Sequence, residues 1–263
     1  MASSWSLVVP AAEVSRLPSL IAGTPDPRLS DCVLSYTANT HVSSDPWQVA
    51  PLGAVLVSVD LSSGEWPVWG LRDRPMTVRG HGPSLSFALT PAAAYRLLGV
   101  PLSEVANTRV DLADVVGVPA KELGERLASA PSWAARFRLV DRFLLSRTGP
   151  SLARPVFGAW ELLQGSGGRM PISALADTVG WTRQHLVRRF REQIGLGPKT
   201  IARILRLHQA ATLMVEPTAP TWATIAHRCG YADQAHLNRD FRALTGMTPS
   251  TYVPKTPRPF HLT

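Results

Sequence analysis

One pattern is written twice in the last third of the chain, and it restricts what that third can fold into more than composition does. Leu186, Arg188, Phe190, Arg191, Gly195 and Pro198 recur 51 residues later as Leu237, Arg239, Phe241, Arg242, Gly246 and Pro249. Ahead of each copy lies a second shared pattern at an offset of 50: Ala176, Gly180 and Trp181, then Ala226, Gly230 and Tyr231. Apolar residues four apart, such as Leu186 with Phe190 and Leu237 with Phe241, share one face of a helix and turn it toward a core. Gly180 and Gly230 each stand where a helix must stop and the chain turn sharply, a place that commonly needs φ > 0 and hence glycine. A short helix, a glycine turn and a second helix form the unit that lays a recognition helix in the major groove of DNA. Two copies predict a reader of two groove segments.

Helical periodicity extends to both sides of the repeat. The spacing predicts helices over Val156–Leu163, Ile172–Val179, Thr182–Ile194, Thr200–Val215, Trp222–Cys229 and Asp233–Leu244, with a short tail near Thr248–Tyr252. The stretch from Thr200 to Val215 has a broad apolar stripe, including Ile201, Ile204, Leu205 and Leu207, and reads as a connector. At 1.5 Å per residue it would be a rod of roughly 24 Å.

With 263 residues, 45% of them hydrophobic, the chain can bury a sizeable core, and its length suggests two domains. Charge separates them. Residues 1–149 hold 13 Lys+Arg against 13 Asp+Glu, whereas residues 150–263 hold 14 against 6. The whole formal charge of +8 therefore sits in the part with the repeat, as expected for a polyanionic partner.

The first part reads differently. Runs rich in β-branched residues at Cys32–Thr37, Ala54–Leu61, Met76–Arg79 and Leu85–Leu89 are punctuated by Gly and Pro, as a small sheet or barrel requires. Pro91–Leu98, Ala120–Leu127 and Ser132–Ser146 read as helices, and Gly149, Pro150 and Pro155 mark a boundary. The expected architecture is an α+β N-terminal domain (1–149), a small β-sheet or barrel plus helices. An all-α DNA-binding domain (150–263) follows, with helix-turn-helix units at about 172–195 and 222–246.

Cys32 and Cys229 fall in different parts and read as reduced thiols of a cytoplasmic protein. No apolar run approaches the ~20 residues of a membrane span, and the opening MASSWSLVVP lacks a basic n-region and a long apolar h-region, so no membrane is expected.

The chemistry of the two second helices follows from their faces. At 100° per residue, Gln184, Arg188 and Arg191 point away from Leu186, and Ala235, Arg239 and Arg242 away from Leu237, with His185 and His236 flanking at matching positions. An Arg can bond guanine O6 and N7 bidentately, a Gln can bond adenine N6 and N7, and an Ala can touch the thymine methyl. Arg191 and Arg242, a turn further on, are expected on phosphate, which positions without specifying. For any single Arg a solvated face is the plainer explanation; equivalent faces in both units favour function.

The region Val156–Tyr252, above all IAHRCGYADQAHLNRDFRALTGMTPSTY, resembles the DNA-binding domain of the AraC/XylS family of bacterial transcription regulators. The extra residue between Gly230 and Phe241 fits, since the second unit of that family is typically one residue longer there. The resemblance implies base contacts from Gln184, Val187 and Arg188 in the first unit, and from Gln234, Ala235, His236 and Arg239 in the second; Arg183, His185, Arg191 and Arg242 complete the candidate set. Ile201 departs from the family, which often has an aromatic there, and bears on packing only. The stretch SFALTPAAAYRLLGVPLSEVANTRVDLADVVG is similar to a segment of sensor-type domains that precede this module in actinobacterial regulators, a likeness that implies no known chemistry.

Other chemistries find little support. The seven histidines form no HxH or HxxxH pair, so no metal is expected, and His81 between two glycines reads as a loop residue. There is no GxSxG, P-loop or cysteine cluster; neither enzyme activity nor a cofactor is expected. Trp47, Trp66 and Trp69 could line a ligand pocket, although core packing is the commoner use of such residues. Double-stranded DNA is the expected partner. RNA polymerase, a small-molecule effector and a second copy in a homodimer remain open, as does an N-terminal domain that only dimerises or binds a partner protein.

Overall fold

The computed structural model describes residues 6–7, 20–40, 47–78, 82–214, 219–252 and 260–261. Its strands are β1 (Ser6–Leu7), β2 (Leu20–Gly23), β3 (Val33–Asn39), β4 (Trp47–Val49), β5 (Val55–Asp60), β6 (Pro67–Trp69), β7 (Met76–Val78), β8 (Ser84–Leu89), β9 (Arg109–Asp111) and β10 (Phe260–His261). Six of them form an antiparallel sheet in the order β2-β3-β8-β5-β6-β9, while β4 pairs with β7 and β1 with β10. Of the two expected architectures this is the sheet: β2 and β9 are its edges and do not pair with each other. Its centre is where the β-branched and aromatic alternation is cleanest. Val55, Val57 and Val59 of β5 stand opposite Leu89, Phe87 and Leu85 of β8, all of them buried.

Helices α1 (Pro91–Leu98), α2 (Leu102–Val105), α3 (Leu112–Val116), α4 (Val118–Ser129) and α5 (Trp133–Ser146) follow or cover this sheet. Local signals set their ends. Thr90 Oγ1 accepts from Ala93 N, Pro91 occupies the first turn, and Gly99 at φ 70° closes α1. Ser132 caps α5 through Ala135 N.

The basic part of the chain is helical among its described residues up to Tyr252: α6 (Arg154–Gly165), α7 (Ile172–Thr178), α8 (Arg183–Ile194), α9 (Pro198–Met214), α10 (Trp222–Arg228), α11 (Gln234–Thr245) and α12 (Pro249–Tyr252). The connector α9 starts two residues before its expected start because Pro198, which cannot sit inside a helix, is well suited to its first position. Val215 and Arg79, expected as the ends of the connector and of a strand, lie outside the described residues, as does His81.

A single apolar core runs through both parts. It includes Val57 and Phe87 of the sheet, Leu97 of α1, Leu102 of α2, Phe190 of α8, Ile204 of α9 and Phe241 of α11. Helix α8 packs on α6 and α7, and also on α1 and α2 from the other part of the chain. A polar tie joins the parts as well: His208 Nε2 of α9 donates to the carbonyl of Pro51, 2.8 Å away. Trp66 and Trp69 are buried, in the main core and in a small cluster with Val49, Met76 and Val78 respectively. The Trp47 side chain is outside the described residues. No helix among the described residues is long and apolar enough to cross a membrane.

Candidate DNA interface

The repeated Ala, Gly and aromatic residues form the same helix ending in both units. Trp181 N donates to Ala176 O (3.0 Å) and Gly180 N to Asp177 O (3.2 Å); Tyr231 N donates to Ala226 O (2.9 Å) and Gly230 N to His227 O (3.1 Å). This is the Schellman pattern, in which the residue after the glycine bonds back five positions and the glycine three. It requires φ > 0 at the glycine, and Gly180 and Gly230 have φ 71° and 74°. At the second glycine a Cβ would also stand 2.9 Å from Arg169 Cγ, so that turn rests against the loop before α7.

Each turn delivers a capped helix. Thr182 Oγ1 accepts from His185 N (3.2 Å), and Asp233 Oδ1 accepts from His236 N (2.6 Å). The histidine rings pack edge-on against the aromatic that closes the preceding turn, His185 on Trp181 at 4.4 Å between centroids and His236 on Tyr231 at 5.2 Å. The matched histidines thus help to set the start of each helix, and both are half-buried, between an exposed Gln184 or Ala235 and a buried Leu186 or Leu237. Leu186, Phe190, Leu237 and Phe241 are buried beneath.

The opposite faces are open. In α8, Arg183, Gln184, Val187, Arg188 and Arg191 are exposed; in α11, Gln234, Ala235, Asn238, Arg239 and Arg242 are. Val187 is one of the few large apolar side chains left in solvent among the described residues, at 38% exposure. Asn238 was missed by the sequence reasoning. It occupies the position of Val187 at the offset of 51, and that offset was the signal that could have found it. The α8 face forms one wall of a groove of about 1030 Å³ whose other side is Ser103 of α2, so a residue from the first part of the chain stands beside the exposed face of α8.

Ion pairs anchor the second helix to the connector. Asp240 of α11, a buried carboxylate, accepts from Arg203 Nε (3.1 Å) and lies 3.6 Å from Arg206 of α9. The Arg206 guanidinium also covers the Tyr231 ring at 5.0 Å. Burial, followed by the Asp240 carboxylate, raises the Tyr231 pKa, which keeps its hydroxyl neutral. Burial likewise raises the thiol of Cys229, at the end of α10, to about 11.

Residues 175–254 match the family model described as a helix-turn-helix domain. This region is an AraC-type helix-turn-helix domain. An AraC-like transcription regulator of Streptomyces lividans is 36% identical over 81 residues, 31% of this chain and 26% of that protein. The HTH-type transcriptional regulator YbfI of Bacillus subtilis is 32% identical over 66 residues, 25% of this chain and 23% of that protein. The chain therefore spans about a quarter of the length of these curated relatives. Among solved structures, the C-terminal domain of AraT, a response regulator from Geobacillus stearothermophilus, aligns over 39% of this chain and 86% of its own, with 23% identity and a TM-score of 0.37. The AraC-type domain covers both glycine turns, both capped helices and the connector between them.

Proposed function

We propose that the protein is a sequence-specific DNA-binding transcription regulator of the cytoplasm, without enzymatic activity, in which α8 and α11 each read a major-groove segment. One observation carries this reading: two capped helices, built by the same turn, both turn a polar and basic face to solvent. In the first unit Gln184, Val187 and Arg188 meet base edges; in the second Gln234, Ala235, His236 and Arg239 do, and Asn238 joins them. Arg183, Arg191 and Arg242 hold phosphates, and His185 steadies the start of α8. Residues 1–149 act as the regulatory part and 150–263 as the DNA-binding part. The contact of α1 and α2 with α8 is the route by which the first part, with or without a bound effector, biases the second.

The experiment is selection of duplexes from a randomised pool by the full-length protein. The connector α9 has 17 residues and is about 26 Å long, while successive major-groove segments on one face of B-DNA lie about 34 Å apart. Two preferred segments roughly one helical turn apart are expected, with any shortfall taken up by bending. Enrichment of one short segment, or of none, would refute the two-reader assignment.

A further inference from the structure

Between the two helix-turn-helix units lies a second concavity, of about 340 Å³, lined by Arg169, Arg183, Lys199 and Arg206 with Ser173 and without a carboxylate. The four cations come from three places. Arg169 lies in the loop before α7, Arg183 in the first turn of α8, and Lys199 and Arg206 on α9, where Lys199, Ala202 and Arg206 share one face at spacings of three and four. The loop sits directly on the connector, since a Cβ on Gly168, at φ 74°, would overlap the Ala202 carbonyl oxygen. On its far side Arg169 meets the Gly230 turn of the second unit. The cleft therefore shares Arg183 with the exposed α8 face and reaches, through Arg169, the Gly230 turn that precedes α11.

Charge bookkeeping points the same way. Asp240 is shared by Arg203 and Arg206, one carboxylate for two guanidiniums, and it does not line the cleft. Four like charges gathered in one concavity repel one another, and an anion seated among them relieves that repulsion. Guanidinium and ammonium groups are also the donors that suit phosphate oxygens. None of the four cations belongs to the repeated pattern, and of them only Arg183 is in the candidate set.

We propose that this cleft seats a single backbone phosphate of duplex DNA, the one that lies between the two groove segments, and so sets the register of the two readers. The assignment rests on the DNA-reading function proposed above. Its test uses the full-length protein, its selected duplex, and a series of duplexes in which one phosphate at a time is replaced by an uncharged methylphosphonate. For the wild type, neutralising one phosphate between the segments should weaken binding about tenfold, as loss of a charge-assisted contact does. Lys199→Ala and Ser173→Glu alter exposed side chains. Both should weaken all duplexes in the same proportion, leave the selected bases unchanged, and shrink the penalty of that methylphosphonate. Lys199→Ala should also reduce the slope of log K against log salt by about 0.9.

If the wild type binds its selected duplex but no phosphate between the segments matters, or if Lys199→Ala retains the full methylphosphonate effect, the seat is refuted while the DNA reading stands. Inorganic phosphate supplies a further arm. Should it raise the melting temperature of the wild type and not of Lys199→Ala, with the methylphosphonate series silent, the cleft holds a free phosphate and the DNA assignment of the cleft is overturned. Failure of the wild type to select any duplex would remove both the reading and the seat.

Discussion

Tyr36 of β3 donates its hydroxyl to Asp141 Oδ1 of α5 at 2.7 Å inside the core, and its ring stacks on Phe137 at 5.4 Å. Burial and the carboxylate beside it push the Tyr36 pKa upward, so the phenol stays a donor. Asp141 also accepts from Asp26 N, at 3.2 Å. Tyr36→Phe keeps the ring but leaves a buried carboxylate short of a donor. It should cost about 1–3 kcal/mol in urea unfolding, and unchanged stability would show that Asp141 finds another partner at no loss. The two turn glycines offer a second comparison at this scale. Gly180→Ala bears only the cost of φ > 0, about 1–2 kcal/mol, because a Cβ there meets nothing within 4 Å. Gly230→Ala bears that cost and must also displace Arg169. It should be the more destabilising of the two in the same measurement, and the reverse order would contradict the packing at that turn.

At the scale of elements, α8 and α11 are alike in construction and differ in what supports them. Helix α8 is braced by α1 and α2 as well as by its own unit, whereas α11 is held to α9 by Asp240 with Arg203 and Arg206. Because the reading faces are separated by the length of α9, their contributions to specificity should be separable. Arg188→Ala is expected to relax base preference in one segment and Arg239→Ala in the other, each at a cost of about 1–3 kcal/mol for its lost bidentate bond. Arg191→Ala should weaken all sequences about equally, as loss of a phosphate contact would. Site selection by each variant decides this: overlap of the base pairs lost by Arg188→Ala and Arg239→Ala would defeat the separation.

For the molecule as a whole, the expected boundary near residue 150 is crossed by one apolar core and by the bond between His208 and Pro51. Burial holds the His208 pKa below its ordinary value of 6.5. Above that value the ring is neutral in folded and unfolded chains alike, and the stabilisation is fully present. As pH falls through 6.5 the unfolded chain takes up the proton first, so stability is lost until the folded value is also passed. The melting temperature of the wild type should therefore fall between about pH 7.5 and about pH 5.5, and its advantage over His208→Gln should shrink across the same interval. A difference that is constant with pH would mean the ring is not held neutral by the fold.

The helix-turn-helix units were legible in the sequence because everything that builds them is local. Ala176, Gly180 and Trp181 close a helix through bonds spanning five residues, Thr182 and Asp233 cap the next, and stripes at spacings of four face the core. The long strands β3, β5 and β8 were legible for a similar reason, since each contains several alternating residues. Strands β6 and β9 were not: they are strands because Val68 lies between Val57 and Val110 in the assembled sheet. The four-residue α2 was likewise missed, although Leu102 belongs to the core and Ser103 lines a groove with the exposed face of α8. Arg169, Lys199 and Arg206 look like ordinary solvated cations along the chain. Tertiary packing alone brings them around one cleft with Arg183, because a sequence pattern reports the neighbours within a helix turn and not those that the turn at Gly230 and the length of α9 place beside one another.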